Sequence, residues 1–580
     1  MEKNSTIRLT LSRFDPEKDR APRWETHLIP HQDGMTILDA IFYVYENIDR
    51  SLAFSYGCRY GRCGLCALNV NGKPTLICQT LAQKEMRVEP LPHYLVVRDL
   101  VIERADLGDR TLDHQPFLHR PEGDWKRIQE QTQPEILKPE DFEIFKQATR
   151  CVDCYSCNSI CPIVGEEKGV TRGPNLIMQM APYFFDPRDS LDRTGFMQEL
   201  AAKCLLCGTC AESCPKDLSI DEIIAEARAK VVEKKGLPLA KRLFLQALLW
   251  SRGLLSFALK GSSLFRGLLF KSVPEESGLH LRFPLGKLDS RRLLPELAKD
   301  FFLDKVPRQA LAAKEADRVA FFVGCSMNYL FPHIGQSAIR VLNRFGVSVM
   351  IPEGQKCCGL PAYGAGDLDV ARKLALANIE AFEKANVGKV VVACGSCGAH
   401  LKKHYPKLFK DQAPALKERV ERFSESITDL TAYLAGQIGE VTPRAEIKEK
   451  FQARRVTYHD SCHVKRKLEI REEPRKLLRA AGVELAEMSE PDRCCGLGGS
   501  FGLENYELSA KILDHKMEDI EKTEAEVVAT GCMGCLIQLQ QGIHNRGLKI
   551  KAKHIIEVLD EMSTKAEQRT QRQEQARRPA

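Results

Sequence analysis

Cysteine is the residue type with the clearest capacity for chemistry in this sequence, which contains 22 cysteines among 580 residues. They occur in short, regularly spaced groups, and thiolates at such spacings are typical ligands of iron–sulfur clusters. The spacing divides them, with none left over, into one group of four, two runs of four and two sets of five. We therefore predict an iron–sulfur electron-transfer subunit with five cluster sites.

The first group has the Cys-x4-Cys-x2-Cys spacing, with a distant fourth cysteine, that is typical of plant-type two-iron ferredoxins. Glycines 57, 61 and 64 in the same loop would let the backbone wrap a cluster and aim amides at its sulfurs. A zinc site is the alternative, but zinc ligands usually come as two cysteine pairs. The predicted ligands are Cys58, Cys63, Cys66 and Cys78.

Two complete Cys-x2-Cys-x2-Cys-x3-Cys-Pro runs follow, as in bacterial ferredoxins. In such runs the first three cysteines surround one cubane and the fourth ligates the other. Pro162 and Pro215 would turn the chain after each run. We assign one cubane to Cys151, Cys154, Cys157 and Cys214. We assign the other to Cys204, Cys207, Cys210 and Cys161.

The ten remaining cysteines form a duplicated pattern, Cys-x31-Cys-Cys-Gly-x34/35-Cys-x2-Cys. Equivalent cysteines lie 137, 137 and 138 residues apart, which indicates two copies of one module. The first copy contains Cys325, Cys357, Cys358, Cys394 and Cys397. The second copy contains Cys462, Cys494, Cys495, Cys532 and Cys535.

Short apolar runs precede the cysteines of both copies and alternate with helical stretches, which predicts α/β modules with open parallel sheets. The carboxyl ends of parallel strands form a ligand crevice, so five thiolates would converge in each module. The predicted strands are Val319–Val323, Val347–Ile351 and Val390–Val392, and then Val456–Tyr458, Val483–Leu485 and Val527–Val528.

Five thiolates exceed the needs of one cubane, and adjacent cysteines suit two bridged metals. A strained disulfide between Cys357 and Cys358 is the alternative. Three histidines, His333, His459 and His463, are near the cysteines in the sequence. We interpret them as structural or as partners of the ligands, because the thiolates already suffice.

The N-terminal region predicts a small β-grasp domain. Residues 5–14 alternate as a strand, Trp24–Ile29 is its hairpin partner, Met35–Ile48 has helical spacing, and strands follow from Cys66 to Cys78. Residues 135–235 are helical, and the cysteine-free segment from 236 to about 315 is predicted to be helical, apolar and basic.

We therefore predict a multidomain chain with a β-grasp [2Fe-2S] domain, an α-helical bis-[4Fe-4S] domain and two tandem α/β cysteine-rich CCG domains. The predicted boundaries are 1–108, 109–235, a basic helical connector at 236–316, module 1 at 317–440, module 2 at 441–562, and a disordered tail at 563–580.

The connector has two interpretations. Its residues 236–287 combine apolar side chains with scattered lysines and arginines. They would form either a helical hairpin packed on the modules or a partner, or an amphipathic segment lying on an anionic membrane. No stretch reaches ~18 uninterrupted apolar residues, so no membrane-spanning helix is expected.

Composition excludes several classes of protein. The net charge of +7 comes from 85 basic and 78 acidic residues and does not favour a nucleic-acid binder. Met1–Phe14 has no apolar run and is not a signal peptide, so we expect a reducing cytoplasm in which thiols bind metals. No Rossmann fingerprint or phosphate loop is present, so this chain should bind neither flavin nor nicotinamide.

Residues 1 to about 230 resemble the iron–sulfur subunits of succinate dehydrogenase and fumarate reductase. The segments that carry this resemblance are 56–59, 71–72 and 95–101. It implies an FAD-containing flavoprotein partner whose flavin exchanges electrons with the two-iron cluster. In that family the second run typically lacks one cysteine and holds a three-iron cluster near a quinone site. Here Cys207 completes the run, and we expect electrons to continue into the C-terminal half.

The duplicated modules resemble the catalytic subunit of heterodisulfide reductase, whose paired modules hold non-cubane four-iron clusters that cleave a disulfide. Iron–sulfur subunits of lactate, glycolate and glycerol-3-phosphate dehydrogenases are similar, but many lack some of the cysteines. The fused order of both halves resembles the iron–sulfur subunits of thiol:fumarate reductases. This implies an electron relay between an FAD subunit and CCG clusters that reduce or form a disulfide. Alternatives are a relay from an organic-acid dehydrogenase to a membrane quinone or cytochrome, and a redox scaffold in a larger complex.

Overall fold

The computed structural model describes residues 6–104, 112–120, 130, 139–167, 173–249, 252–263, 270–272, 278–283, 288–438 and 454–564. The chain forms two compact units, Met1–Lys234 and Lys235–Ala580. Nearly all of the predicted disordered tail lies outside the described residues.

A five-stranded sheet opens the first unit, with strand order β2-β1-β5-β3-β4. Alternate residues of β1, Ile7, Leu9 and Leu11, are at most 1% exposed, as the predicted strand requires. A helix, Ile37–Asn47, begins at a capping box formed by Thr36. The strands are β1 Thr6–Arg13, β2 Arg23–Pro30, β3 Ala67–Val70, β4 Lys73–Leu76 and β5 Glu85–Glu89, followed by the pair β6 Val96–Arg98 and β7 Val101–Ile102.

Among the residues of the first unit that the structure describes, those after β7 form helices and no strands, in line with the helical pattern predicted for residues 135–235. Its core is formed by fully buried side chains such as Met180, Met197 and Ile224. Two of its shortest helices begin within the cysteine runs, so the ligand loops are anchored directly to the helical core. The helices are Pro139–Ala148, Ser156–Ser159, Pro162–Glu166, Pro174–Phe185, Thr194–Ala202, Thr209–Glu212 and Ile220–Lys235.

Module 1 is built on a sheet with strand order β10-β12-β11-β13-β14. All neighbours are parallel except β10, which pairs antiparallel with β12 and comes from the segment predicted as connector. The strands are β10 Gln309–Ala310, β11 Asp317–Phe322, β12 Val347–Met350, β13 Val390–Val392 and β14 Ile427–Asp429. The helices are Gly324–Tyr329, Pro332–Arg344, Leu360–Ala365, Leu368–Ala385, Gly395–Ala399, Tyr405–Leu408, Pro414–Ser426 and Leu430–Gln437, with a π-helical turn at His400–His404.

Module 2 repeats this sheet in the order β16-β15-β17-β18, with all strands parallel. Its register matches that of module 1, because Phe322 pairs with Val392 and His459 with Thr530 at the same place in each repeat. The strands are β15 Arg455–His459, β16 Glu484–Leu485, β17 Val527–Thr530 and β18 Lys551–His554. The helices are Glu473–Ala480, Phe501–Glu504, Tyr506–Glu521 and Met533–Arg546, with a π-helical turn at His463–Lys467.

The connector is not helical throughout, and that prediction is wrong. Helices cover Leu239–Ala247 and Arg252–Ser263, and a short one covers Phe302–Lys305. Between the second and third of these helices, strand β8, Phe270–Ser272, pairs antiparallel with strand β9, Leu279–Leu281. Prolines 274, 284 and 295 remove backbone donors there and disfavour longer helices.

The connector packs on both modules. Leu245 is 2% exposed and belongs to the core shared with module 1. The buried Arg292 guanidinium donates to Gln538 and to the carbonyl oxygen of Gly502 in module 2. Within the described part of the chain, no helix is both long and apolar enough to cross a membrane.

Candidate metal centres

Three of the predicted two-iron ligands lie in the loop of residues 57–66, which we call the two-iron loop. The fourth, Cys78, lies against Cys66 of this loop. The sulfurs of Cys66 and Cys78 are 3.2 Å apart, and the Arg62 amide donates to the Cys58 sulfur at 3.1 Å. The amides of Arg62 and Tyr60 lower the pKa of Cys58 to about 6. Burial raises the pKa of Cys66 to about 12. Amides aimed at crowded thiols fit an iron–sulfur cluster, whose cationic irons would stabilise the thiolates.

Two glycines of the two-iron loop leave little room for a side chain. A Cβ atom on Gly57 would lie 3.1 Å from the Cys63 sulfur. Gly64 has φ +71°, and its Cβ would lie 2.2 Å from the carbonyl oxygen of Val152. The two-iron loop therefore touches the first cubane run backbone to backbone, which shortens the distance between their ligands.

The fourth cysteine of each cubane run lies close to thiols of the other run. Burial raises the pKa of Cys157, and the neighbouring thiols that raise it further include Cys154, Cys151 and Cys214. The structure thus brings Cys214 to the first run.

In the second predicted cubane set, Cys161 of the first run lies near thiols of the second run. Burial raises the pKa of Cys161 to about 12, and the second-run thiols Cys207 and Cys204 also raise it. A cavity is lined by Cys161, Cys204, Cys207 and Cys210, with Ile177 among its apolar walls. Four soft donors in a largely apolar cavity fit a cubane and fit a hard cation poorly.

Module 1 brings its five thiols together at the carboxyl ends of β11, β12 and β13. The sulfurs of Cys325 and Cys357 are 3.7 Å apart, and Cys358 contacts both Cys357 and Cys397. Cys394 contacts Cys397 in turn. Hydrogen bonds from Cys357 and Cys397 lower the pKa of Cys358 to about 6. All five are free thiols, so the alternative disulfide between Cys357 and Cys358 is not formed.

Module 2 has the same arrangement. The sulfurs of Cys495 and Cys535 are 3.6 Å apart, and the Gly496 amide lies 3.4 Å from the Cys494 sulfur. Cys535 also contacts Cys532. Five buried or half-buried sulfurs in each module exceed the four ligands of a tetrahedral zinc site.

The two modules meet at their Cys-x2-Cys turns, a contact that sequence reasoning did not predict. The Gly395 amide donates to the Gly531 carbonyl oxygen at 2.9 Å, and the Cys394 and Cys532 sulfurs are hydrogen-bond partners. The Ser396 hydroxyl of module 1 lies 3.0 Å from the Cys532 sulfur of module 2. The two five-thiol sites are therefore adjacent.

The three histidines singled out in the sequence have different surroundings. His333 is exposed and lies 3.4 Å from a carboxylate oxygen of Glu557. His463 Nδ1 lies 3.6 Å from the Cys462 sulfur, as a partner of a ligand would. His459 is buried beside the thiols of module 2.

A further buried histidine pair was missed. His400 and His404 lie behind the CCG turn of module 1 with their Nδ1 atoms 3.1 Å apart. Burial lowers the pKa of His400 to about 3, so this ring is neutral. The four-residue spacing directly after Cys397 was the available sequence signal, because it puts both rings on one helical face.

Three family models match the chain in the predicted order. A "2Fe-2S iron-sulfur cluster binding domain" matches residues 8–109. A "4Fe-4S dicluster domain" matches residues 147–218. A "Cysteine-rich domain" matches twice, at residues 319–402 and 456–540.

Relatives match over most of the chain. The B subunit of fumarate reductase (CoM/CoB) from Methanothermobacter marburgensis is 30% identical over 561 residues, covering 96% of this chain and 99% of that protein. "Probable glycolate oxidase iron-sulfur subunit" of Bacillus subtilis is 29% identical over 428 residues, covering 70% of this chain and 92% of that protein.

A crystal structure of a hypothetical protein from Helicobacter pylori shares the fold, with a TM-score of 0.55 and 12% identity over 96% of this chain and 95% of that one. The family itself follows from sequence identity over nearly the whole length of both proteins. The chain belongs to the family of iron–sulfur proteins that includes the B subunit of fumarate reductase (CoM/CoB).

Proposed function

We propose that this chain is the electron-transfer subunit of a flavoprotein-linked oxidoreductase of the succinate dehydrogenase and fumarate reductase type. Electrons would pass between an FAD-containing partner subunit and the CCG modules, which reduce or form a disulfide. The observation that carries this proposal is the contact of two complete five-thiol sites through Cys394 and Cys532. The match to a fumarate reductase subunit over 96% of the chain supports it.

The proposed cofactors are one [2Fe-2S] cluster, two [4Fe-4S] cubanes and two non-cubane [4Fe-4S] clusters, held by the 22 cysteines as assigned from their spacing. When bound, these clusters supply one-electron carriers and, in the modules, thiol-reactive iron. We assign the N-terminal sheet and its helix to the β-grasp fold, and we retain the domain boundaries predicted from the sequence.

The reaction balances without another redox partner. Oxidation of two thiols to a disulfide releases two electrons and two protons. Reduction of fumarate to succinate consumes two electrons and two protons at the flavoprotein. The reverse direction couples succinate oxidation to disulfide reduction.

The residues of this chain would guide the electrons and admit the sulfur substrate. The backbone contact at Gly64 holds the two-iron loop against the first cubane run. In module 1 a cavity lined by Cys325, Cys357, Asn328 and Lys356 would give an external disulfide access to the five-thiol site. The Lys356 ammonium is the cationic group of that lining and would attract an anionic thiol.

The iron content of the chain tests this proposal. After strictly anaerobic purification we expect about 18 iron atoms per chain, from two, four and four in the ferredoxin parts and four in each module. Iron and acid-labile sulfide would be measured by chemical assay. A value of about 10 would mean that the modules hold no clusters, and disulfide chemistry would be withdrawn.

A second candidate is a relay that passes electrons from an organic-acid dehydrogenase to a membrane quinone or cytochrome. One surface favours it. Leu239, Leu243 and Phe244 of the first connector helix are 70%, 56% and 61% exposed, and Phe257 of the next helix is 77% exposed. Such side chains beside lysines and arginines suit an anionic lipid surface. The match to a protein named for glycolate oxidation agrees with this candidate.

Vesicle binding tests the second candidate. If the connector helices lie on a membrane, the chain sediments with anionic phosphatidylglycerol vesicles, and Phe257→Glu weakens that binding by at least about tenfold, because burying a phenylalanine is worth about 1.5–3 kcal/mol. Leu311→Glu is the control, since Leu311 is 63% exposed outside these helices. Equal binding of both variants, or no binding of the parent chain, would remove this candidate.

A further inference from the structure

His459 is a buried imidazole at the end of strand β15, where it is 1% exposed. Neither ring nitrogen has a nitrogen or oxygen atom as a hydrogen-bond partner among the residues that the structure describes. Leaving a buried polar nitrogen without any partner typically costs about 1–3 kcal/mol, and the partner that meets this ring is a sulfur, the thiol of Cys495.

Two thiols of module 2 face this imidazole. One ring nitrogen of His459 and the sulfurs of Cys495 and Cys535 all lie within 4.8 Å of one another. The sulfurs themselves are 3.6 Å apart. The sulfur separation fits two donors of one metal, because Zn or Fe bonds of about 2.0–2.3 Å place two ligand atoms at most about 4.6 Å apart, and the imidazole nitrogen lies at about that range from both sulfurs.

The equivalent position of module 1 lacks this donor. His459 lies three residues before Cys462, and Phe322 lies three residues before Cys325. The two residues have the same register in their sheets. Phe322 is fully buried and stacks on Phe382 with ring centroids 5.9 Å apart. The end of this strand therefore holds a buried aromatic ring in both modules, but only the ring in module 2 contains nitrogen atoms that could bind a metal.

We propose that His459 is a nitrogen ligand of the metal centre in module 2, where it shares iron with Cys495 and Cys535. The inference rests on the proposed cluster in that module and goes beyond it, because it makes the two duplicated sites chemically different. Module 1 offers five thiolates, whereas module 2 offers five thiolates and one imidazole.

The added imidazole has an electronic consequence. Histidine in place of thiolate raises the reduction potential of two-iron centres, because a neutral nitrogen adds no negative charge to the site. An imidazole that takes a coordination position at module 2 has no counterpart in module 1. We therefore expect the reduction potentials of the two adjacent sites to differ, so that they have distinct roles in a two-electron reaction.

Nitrogen hyperfine spectroscopy tests the ligand. The full chain would be labelled with 15N-histidine, purified anaerobically and examined by pulsed EPR at each step of a redox titration. We expect one strong histidine coupling, of the size given by a directly bound nitrogen, that disappears in His459→Phe and persists in His463→Gln. Phenylalanine is the matched replacement because module 1 carries it at this position.

A second variant tests the ligand in case His459→Phe does not fold. His459→Cys retains a metal donor, so we expect it to keep the iron content of the parent chain, lose the nitrogen coupling and shift one redox transition. About 18 iron atoms per chain without a strong histidine coupling at any potential would overturn the ligand and leave the proposed function intact. A coupling that disappears in His463→Gln instead would also overturn it. About 10 iron atoms would overturn both proposals together.

Discussion

Replacement of Cys357 by alanine is expected to abolish disulfide turnover while the two-iron signal survives. The Cys357 sulfur lies 3.7 Å from that of Cys325 and contacts Cys358, so its loss removes the thiol that links Cys325 to the other three. Loss of an outer partner of a metal ligand typically costs roughly 10–100-fold in metal affinity or activity, and loss of a ligand should exceed that. Turnover would be measured with a disulfide substrate and an artificial electron donor.

The controls for this variant separate chemistry from folding. The two-iron ligands lie in the other compact unit, so the two-iron EPR signal should keep its parent intensity. The iron content should fall from about 18 to about 14 atoms per chain. Gly388→Ala is the matched control in module 1, because its new Cβ would meet no atom within 4 Å. Parent-level turnover in the Cys357 variant would mean that module 1 does not carry the disulfide reaction.

Cysteine spacing predicted the grouping of the thiols because iron–sulfur loops are local in sequence. Runs such as that beginning at Cys151 need only a few residues to bring three ligands together, and the exchange of fourth cysteines follows from the duplicated pattern. Buried parallel strands were also predictable. The Val390–Val392 run is entirely apolar because both faces of β13 are covered.

Edge strands and long-range contacts were not predictable in the same way. Strand β18, Lys551–His554, contains two lysines and no apolar run, since an edge strand is covered on fewer sides. The contact of Gly395 with Gly531 joins residues that are far apart in the sequence, and only the packed modules reveal it. The connector was misassigned because two of its short apolar stretches pair with each other as strands β8 and β9.

The difference between His459 and Phe322 is visible in the sequence, because superposing the two repeats on their cysteines pairs these residues. What the sequence could not provide is the burial of His459 and the absence of a nitrogen or oxygen partner among the described residues. Those two facts, together with its contact with the Cys495 thiol, make His459 a candidate ligand, since a structural histidine in a core normally has nitrogen or oxygen partners.

Replacement of Gly64 by alanine should be the most damaging single-methyl change in the two-iron loop. Gly64 has φ +71°, which costs a non-glycine residue about 1–2 kcal/mol. The new Cβ would also lie 2.2 Å from the Val152 carbonyl oxygen and 2.9 Å from Cys154 Cα, both of which are backbone atoms that cannot rotate away. Overpacking of this kind typically adds about 1–3 kcal/mol.

Gly72→Ala isolates the contribution of the contact. Gly72 has φ +80°, but its Cβ would meet nothing within 4 Å, so this variant has only the backbone cost. The denaturant concentration at which the visible circular dichroism of the two-iron cluster is lost would be compared for both variants. We expect Gly64→Ala to lose the signal at a clearly lower concentration than Gly72→Ala.

Magnetic coupling between the reduced two-iron cluster and the first cubane gives a second measurement on the same pair. If the backbone contact at Gly64 sets their separation, Gly64→Ala weakens this coupling because the loops must move apart to admit the methyl group. Gly72→Ala should leave it unchanged, since its new Cβ touches no neighbouring atom. Equal stability and equal coupling in the two variants would show that the two-iron loop can relax without moving, and that close approach at Gly64 does not determine the electron path.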